Sequence, residues 1–290
     1  MKVLRVFTVL IIFIMIGCQP AEKSTTPVVI TSISVYEDFI RNIAGDRVTI
    51  HTLITGAENP HTFDLTGSDA RLLQQADLIV LNGLGLEGWA DQITGSAPEN
   101  ARIFFAGDTL VHRDSSYTGT NPHLWMDPKL AARMAHILLT PLQDITPVSP
   151  DSLERHADNY ADRIHKVYQE IQIKLEEVRG SKVITQTPGV DLFLEAFGIQ
   201  RVEVIVNSPG TEPSARKMTE LLDLLKRGRA DGIIYFPQFS EGIPRTLQEE
   251  SGVPVIMMSP LINAAPHVDT YIDLLWFNAD QLYNGLTRAL

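Results

Sequence analysis

One alternation of patterns, interrupted once, constrains this chain more than any other feature. From Val28 onward, short apolar runs alternate with amphipathic stretches. VVITSI (28–33) reads as a strand, and 36–44 as a helix stopped at Gly45. VTIHTLI (48–54) is the next strand, and Ser68 caps a helix running to 75, with Asp69 in its first turn. ADLIVLNG (76–83) is a buried strand entering a glycine loop, 86–93 a short helix, ARIFFAG (101–107) a strand and 128–142 a helix. Strand and helix in turn predict a mostly parallel sheet.

The interruption is 149–179. It opens on Ser149 as N-cap, Pro150 at the first helical position and acids in the first turn, then runs without a breaker to Gly180. Leu153, Tyr160, Ile164, Val167, Ile171, Leu175 and Val178 form one apolar stripe, so this helix packs along a protein surface. The alternation then resumes. Strands are predicted at 181–186, 201–206, 231–236 and 253–258, with helices at 191–197, 214–227, 243–250 and 271–290. The expected fold is therefore α/β: two similar lobes with mostly parallel sheets, joined by one long backbone helix, with a ligand cleft between them. The expected boundaries are a leader at 1–17, a tether at 18–27, a first lobe at 28–148, the linking helix at 149–179 and a second lobe at 180–290. The length, 290 residues, suits two domains.

Composition excludes several classes. With 24 Lys and Arg against 35 Asp and Glu, the net charge is −11 and no basic run offers a nucleic-acid surface. A single cysteine excludes a disulfide framework and a cysteine-based zinc site. That cysteine is Cys18. It follows a cationic start (Lys2, Arg5), an apolar stretch from Val6 to Ile16 and the small Gly17. The pattern is that of a secretory leader, too short to span a bilayer comfortably. It resembles a bacterial lipobox with Met15 where Leu is usual, and this implies lipidation of Cys18. A polar, proline-flanked tether, QPAEKSTTP, follows. Enzyme signatures are missing: there is no G-x-S-x-G elbow, phosphate-cradling loop or H-E-x-x-H. The glycines of NGLGL (82–86) read as a strand-to-helix turn. An enzyme is not expected.

Eight histidines remain, two of them in matching contexts: ENPHTFD places His61 after Asn59-Pro60, and TNPHLWMDP places His123 after Asn121-Pro122. A proline before the histidine restricts the chain, and neutral imidazole is the commonest ligand for zinc-like ions. The nearby Asp64 and Asp127 read as orienting acceptors or turn caps. His51 reads as a polar strand residue, His136, His156 and His165 as helix-surface residues, and His112 as part of the loop before His123.

These motifs resemble the zinc/manganese-type lipoproteins that serve as solute-binding components of ABC importers. Further marks are VVITSISVYEDFIRNIAGDRV, NPHTFDLTGSDARLLQQADLIVLNGLGLEGW, GTEPSARKMTELLDLLK, PQFSEGIPRTLQEESGVPVI and SPL followed by YIDLLWFNADQL. The resemblance implies two lobes joined by a rigid helix and a divalent ion (zinc, manganese or iron) held between them. It implies His61 and His123 as first-lobe ligands. It also implies a membrane permease as partner, a lipid-anchored position in the bacterial cell envelope and a monomeric state.

The second half departs from that pattern. Thr187 and Ser259 stand where the family usually has a His or Glu and an Asp, and Phe236 stands where a Glu is common. Two imidazoles and two hydroxyls bring no negative charge to a divalent ion, which disfavours burying it. Three alternatives stay open. The ion is held with waters or relocated donors, such as Asp191, His267 or Asp269. The ligand is a metal chelate or small anion carrying its own charge. Or metal binding has given way to an adhesion or interaction role. A His-rich acidic loop is absent, 111–120 being short.

Overall fold

In the computed structural model, the described residues are 26–56, 58–113, 117, 119–207 and 211–287. The leader, Cys18 and most of the tether lie outside them.

Among the described residues, eight strands form two separate four-stranded sheets. In the first half are β1 (Val28–Ile33), β2 (Thr49–Ile54), β3 (Leu78–Leu81) and β4 (Arg102–Phe105). In the second are β5 (Lys182–Thr185), β6 (Gln200–Val204), β7 (Gly232–Tyr235) and β8 (Val255–Met257). All pairings are parallel. The orders, β2-β1-β3-β4 and β6-β5-β7-β8, are the same topology repeated. Each order reverses between its first and third strands, and loops leaving the carboxyl ends there form the usual binding crevice of such sheets.

Among the described residues, eleven α-helices accompany the strands. The first lobe carries α1 (Ser34–Ala44), α2 (Gly67–Leu73), α3 (Ala90–Ser96), α4 (Ala106–Arg113), α5 (Pro128–Ile137) and α6 (Leu139–Ile145). The linking helix is α7 (Pro150–Leu175), extended by a 3-10 turn, Glu176–Val178. The second lobe carries α8 (Asp191–Ala196), α9 (Ala215–Lys226), α10 (Gly242–Ser251) and α11 (Tyr271–Thr287). At 1.5 Å per residue, α7 is a rod of about 39 Å. Its expected stripe is buried. It packs on α1 and α5 of the first lobe and on α11 of the second, so one apolar core runs through both lobes. A smaller core (Ile184, Leu221, Leu225, Ile233, Leu247) lies between the second sheet and α9 and α10. No described helix is long and apolar enough to cross a membrane.

Several local expectations need correction. Thr66, not Ser68, caps α2. Its hydroxyl accepts from the Asp69 N–H and its own N–H donates to the Asp69 carboxylate, a reciprocal box that needs Thr and Asp three apart. The helix expected at 86–93 begins only at Ala90, because Gly83, Leu84 and Gly85 all take positive φ in the preceding turn. Residues 106–113, read as strand end and loop, form α4, so His112 is helical. Gly107, a poor helix former, hides this helix in the sequence. A Cβ there would sit 2.7 Å from the Asn82 carbonyl, so close packing decides that residue. The helix expected over 128–142 breaks at Leu138 into α5 and α6. Pro141, which has no N–H to return to Ile137, lies just past the break. Ser149 is the N-cap of α7, yet its hydroxyl makes no capping bond.

Candidate metal site

Both NPH segments fold by the same local rule. The Asn59 side-chain oxygen accepts the N–H of His61 at 3.0 Å, and the Asn121 oxygen accepts the N–H of His123 at 3.0 Å. Each asparagine thus closes a turn around the intervening proline, which has no N–H to satisfy and a fixed φ. His61 sits in the connection after β2 and His123 in the one after α4, and the turns bring them together. The ring centroids are 5.4 Å apart and inclined at 58°. One ion bound about 2.0–2.1 Å from one nitrogen of each ring, at a near-tetrahedral angle, would set the centroids about 5 Å apart.

The tautomer of His123 follows from its partners. Asn121 Oδ1 already accepts a backbone N–H, so it is the oxygen, and it lies 2.8 Å from His123 Nδ1. Nδ1 therefore carries the proton and donates, leaving the Nε2 lone pair free. Orientation of a ligand imidazole through its other nitrogen is the usual arrangement around a bound metal. Burial, and then the neighbouring His61, hold the His123 imidazole down at about 3, and burial also lowers His61. Both rings stay neutral at physiological pH, as ligands must.

A frame of buried hydrogen bonds supports the loops. Tyr36 donates to Asn82 Oδ1 at 2.7 Å, and Asn82 Nδ2 donates to the Pro122 carbonyl at 3.0 Å, next to His123. Trp89 Nε1 donates to the Pro60 carbonyl at 2.8 Å, next to His61. The glycine loop is no phosphate cradle, because internal carboxylates occupy its N–H groups. Glu87 accepts from Asn82 and Gly83, and Asp108 from Leu84. Asp127 caps α5 through the Lys129 N–H at 2.8 Å, and Asp64 is exposed.

The two histidines open into a cavity between the lobes. Its other walls include Asn59, Pro60, Trp125, Thr187, Gly189, Phe236, Gln238, Phe239, Pro260 and Leu261. The innermost space is about 20 Å³, room for about one water-sized guest, and a wider space of about 310 Å³, also lined by His61, His123 and Thr187, opens beside it. Thr187 lies on this wall, 5% exposed, and its hydroxyl does not cap the turn that follows. Ser259 does not reach it. Its hydroxyl is fully buried, donates to the Leu261 carbonyl at 2.8 Å and accepts from the Leu261 N–H at 3.1 Å. Asn278 clamps its backbone on both sides. Ser259, expected to face the site, is instead committed to its own buried turn.

The relocated donors fare no better. His267 and Asp269 are exposed and line no cleft wall. Asp191 borders the outer mouth, where it pairs with Arg201 at 2.9 Å. Burial raises its carboxyl to about 6, with Arg201 opposing. Of the remaining histidines, His136 pairs with Asp158 at 2.9 Å and His156 with the Ile43 carbonyl at 2.9 Å, away from the cleft. Among the described residues, no group of three or more His, Cys, Asp or Glu side chains could hold an ion.

One residue of the wall escaped sequence reasoning. Gln238, in the loop after β7, donates Nε2 to the Gly56 carbonyl of the other lobe at 2.9 Å, while its Oε1 is buried without a partner. Its only sequence signal was its place in the PQFSEG run.

Fold and site together define a two-lobed, helix-linked binding protein whose cleft presents a pair of neutral imidazoles. The particular family is equally plain: the chain belongs to the family described as "Zinc-uptake complex component A periplasmic", whose sequence model matches residues 29–285. The chain is 21% identical to the manganese ABC transporter substrate-binding lipoprotein PsaA of Streptococcus pneumoniae, over 97% of this chain and 98% of that one. It is 22% identical to the manganese-binding lipoprotein MntA of Halalkalibacterium halodurans, over 99% of each. Its fold matches the periplasmic zinc-binding protein TroA of Treponema pallidum with a TM-score of 0.78 at 21% identity, covering 90% of this chain and 99% of that one.

Proposed function

We propose that this protein is the solute-binding component of an ABC importer, capturing a divalent zinc- or manganese-class ion in the interlobe cleft and passing it to a membrane permease. One observation carries the reading: two neutral imidazoles from matched NPH turns face each other at 5.4 Å in a cavity whose innermost space suits a single small guest. Family membership and the names of the relatives support transport rather than catalysis. The lipobox-like pattern ending at Cys18 supports lipid anchoring in the bacterial cell envelope. α7 packs on both lobes, so capture proceeds with small lobe shifts rather than wide hinge motion.

Calorimetric titration of the metal-stripped chain with Zn²⁺ and Mn²⁺ tests this. Binding tighter than about 0.1 mM is expected, and His61→Ala or His123→Ala should each weaken it by about 100-fold or more. Absence of such binding, or binding unchanged by both substitutions, overturns the reading.

A further inference from the structure

We infer that Gln238 is the third protein donor to the captured ion, through Oε1. The inference rests on the ion-binding reading above and assigns the residue that the second lobe contributes.

The amide is oriented from outside the cavity. Nε2 lies 2.9 Å from the Gly56 carbonyl of the first lobe, and a carbonyl can only accept, so that end of the amide is the NH₂ group. The carbonyl oxygen must then point the other way. It is buried, it has no hydrogen-bond partner, and its side chain lines the same cavity as His61, His123 and Thr187. A buried acceptor without a partner is rare in folded proteins and calls for an ion or a water. The cavity has room for one such guest.

The chemistry of the wall narrows the guest. No carboxylate lines the cavity, and its other faces include Trp125, Phe236, Phe239 and Leu261. An amide oxygen carries a larger partial negative charge than a hydroxyl, and amide carbonyls are ordinary oxygen ligands for hard divalent cations. Gln238 Oε1 is therefore a stronger oxygen donor than the Thr187 hydroxyl and, unlike Asn59 Oδ1, which accepts the His61 N–H, it has no partner of its own. Two imidazole nitrogens and one amide oxygen make an uncharged three-point site from both lobes.

The test uses the full-length chain in detergent, metal-stripped, titrated with Co²⁺ by its visible d–d absorption and with Zn²⁺ by competition. Gln238→Leu should weaken both ions by about 10-fold or more and shift the Co²⁺ bands, because the ligand set changes. Gln238→Glu should tighten Zn²⁺ by about 10-fold or more, since a carboxylate adds the missing charge, and should also shift the bands. A merely structural glutamine would leave the Co²⁺ spectrum unmoved. Wild-type affinity and spectrum in Gln238→Leu overturn the inference alone. If that variant does not fold, an unchanged spectrum and affinity in Gln238→Glu overturn it equally. Failure of the wild-type chain to take either ion overturns the ion-binding reading and this inference with it.

Discussion

At the residue scale, the NPH turns show how a short motif fixes the position of an imidazole. The asparagine closes the turn and, in the second motif, also fixes the imidazole tautomer. Asn121→Ala should therefore leave His123 in place but unoriented, weakening Zn²⁺ about 10–100-fold in calorimetry. Thr187→Ala should cost far less, whereas Thr187→His places a third imidazole on the cavity wall and should tighten Zn²⁺ by about 10-fold or more. The pH dependence has a defined sign. Burial, and then the neighbouring His61, hold His123 down at about 3, and burial lowers His61 from the ordinary 6.5, so protons compete poorly with the ion. Between pH 7.5 and 5.5, affinity should fall less than about 10-fold, against about 100-fold for two ordinary imidazoles. Titrations at the two pH values decide it. The histidine pair was legible in the sequence because each Asn-Pro-His is a complete local instruction. Gln238 was not, because nothing within a few residues of it marks a buried, unpartnered oxygen.

At the scale of elements, close approach outweighs intrinsic propensity. Gly285 lies within α11, where alanine is normally better by about 1 kcal/mol. A Cβ there would meet Ile256 Cγ1 on β8 at 2.5 Å, and Ile256 is itself buried. Overpacking of this kind costs about 1–3 kcal/mol, so Gly285→Ala should destabilise the protein in denaturant unfolding. Adding Ile256→Val should restore part of the loss by thinning the opposing side chain. The same principle explains why α4 escaped prediction, as Gly107 packs on the Asn82 carbonyl. Most strands were legible because four- to six-residue apolar runs bounded by turn residues admit few other readings. The break between α5 and α6 also had its marker in Pro141, outweighed in the reading by the apolar pattern on either side.

For the whole molecule, specific polar contacts join the lobes beside the shared apolar core. Trp125 Nε1 donates to the Pro260 carbonyl at 2.6 Å, Asn121 Nδ2 to the Pro188 carbonyl at 3.3 Å and Ser34 to the Ile262 carbonyl at 3.2 Å. Gly56, at φ 141°, presses its backbone on the opposite loop, where a Cβ would lie 2.2 Å from the Ile262 carbonyl. Gly56→Ala combines a disfavoured φ with a backbone clash that no rotamer relieves. It should lower the melting temperature and weaken ion binding together, because the Gly56 carbonyl is also the anchor of Gln238. A loss of stability with wild-type affinity would uncouple the lobe contact from the site.

The sequence by itself determined the parallel α/β architecture, its duplication about one long helix and the two first-lobe histidines. Each of these is written in short-range physics: apolar periodicity, caps and asparagine-proline turns. Only the tertiary structure decided what faces those histidines. It turned Ser259 into its own buried turn, left His267 and Asp269 in solvent, paired Asp191 with Arg201 and brought Gln238 to the cavity. The cleft wall is assembled from loops that leave different strands of two sheets. Which side chain lines it depends on packing between segments far apart in the chain, and no local pattern encodes that packing.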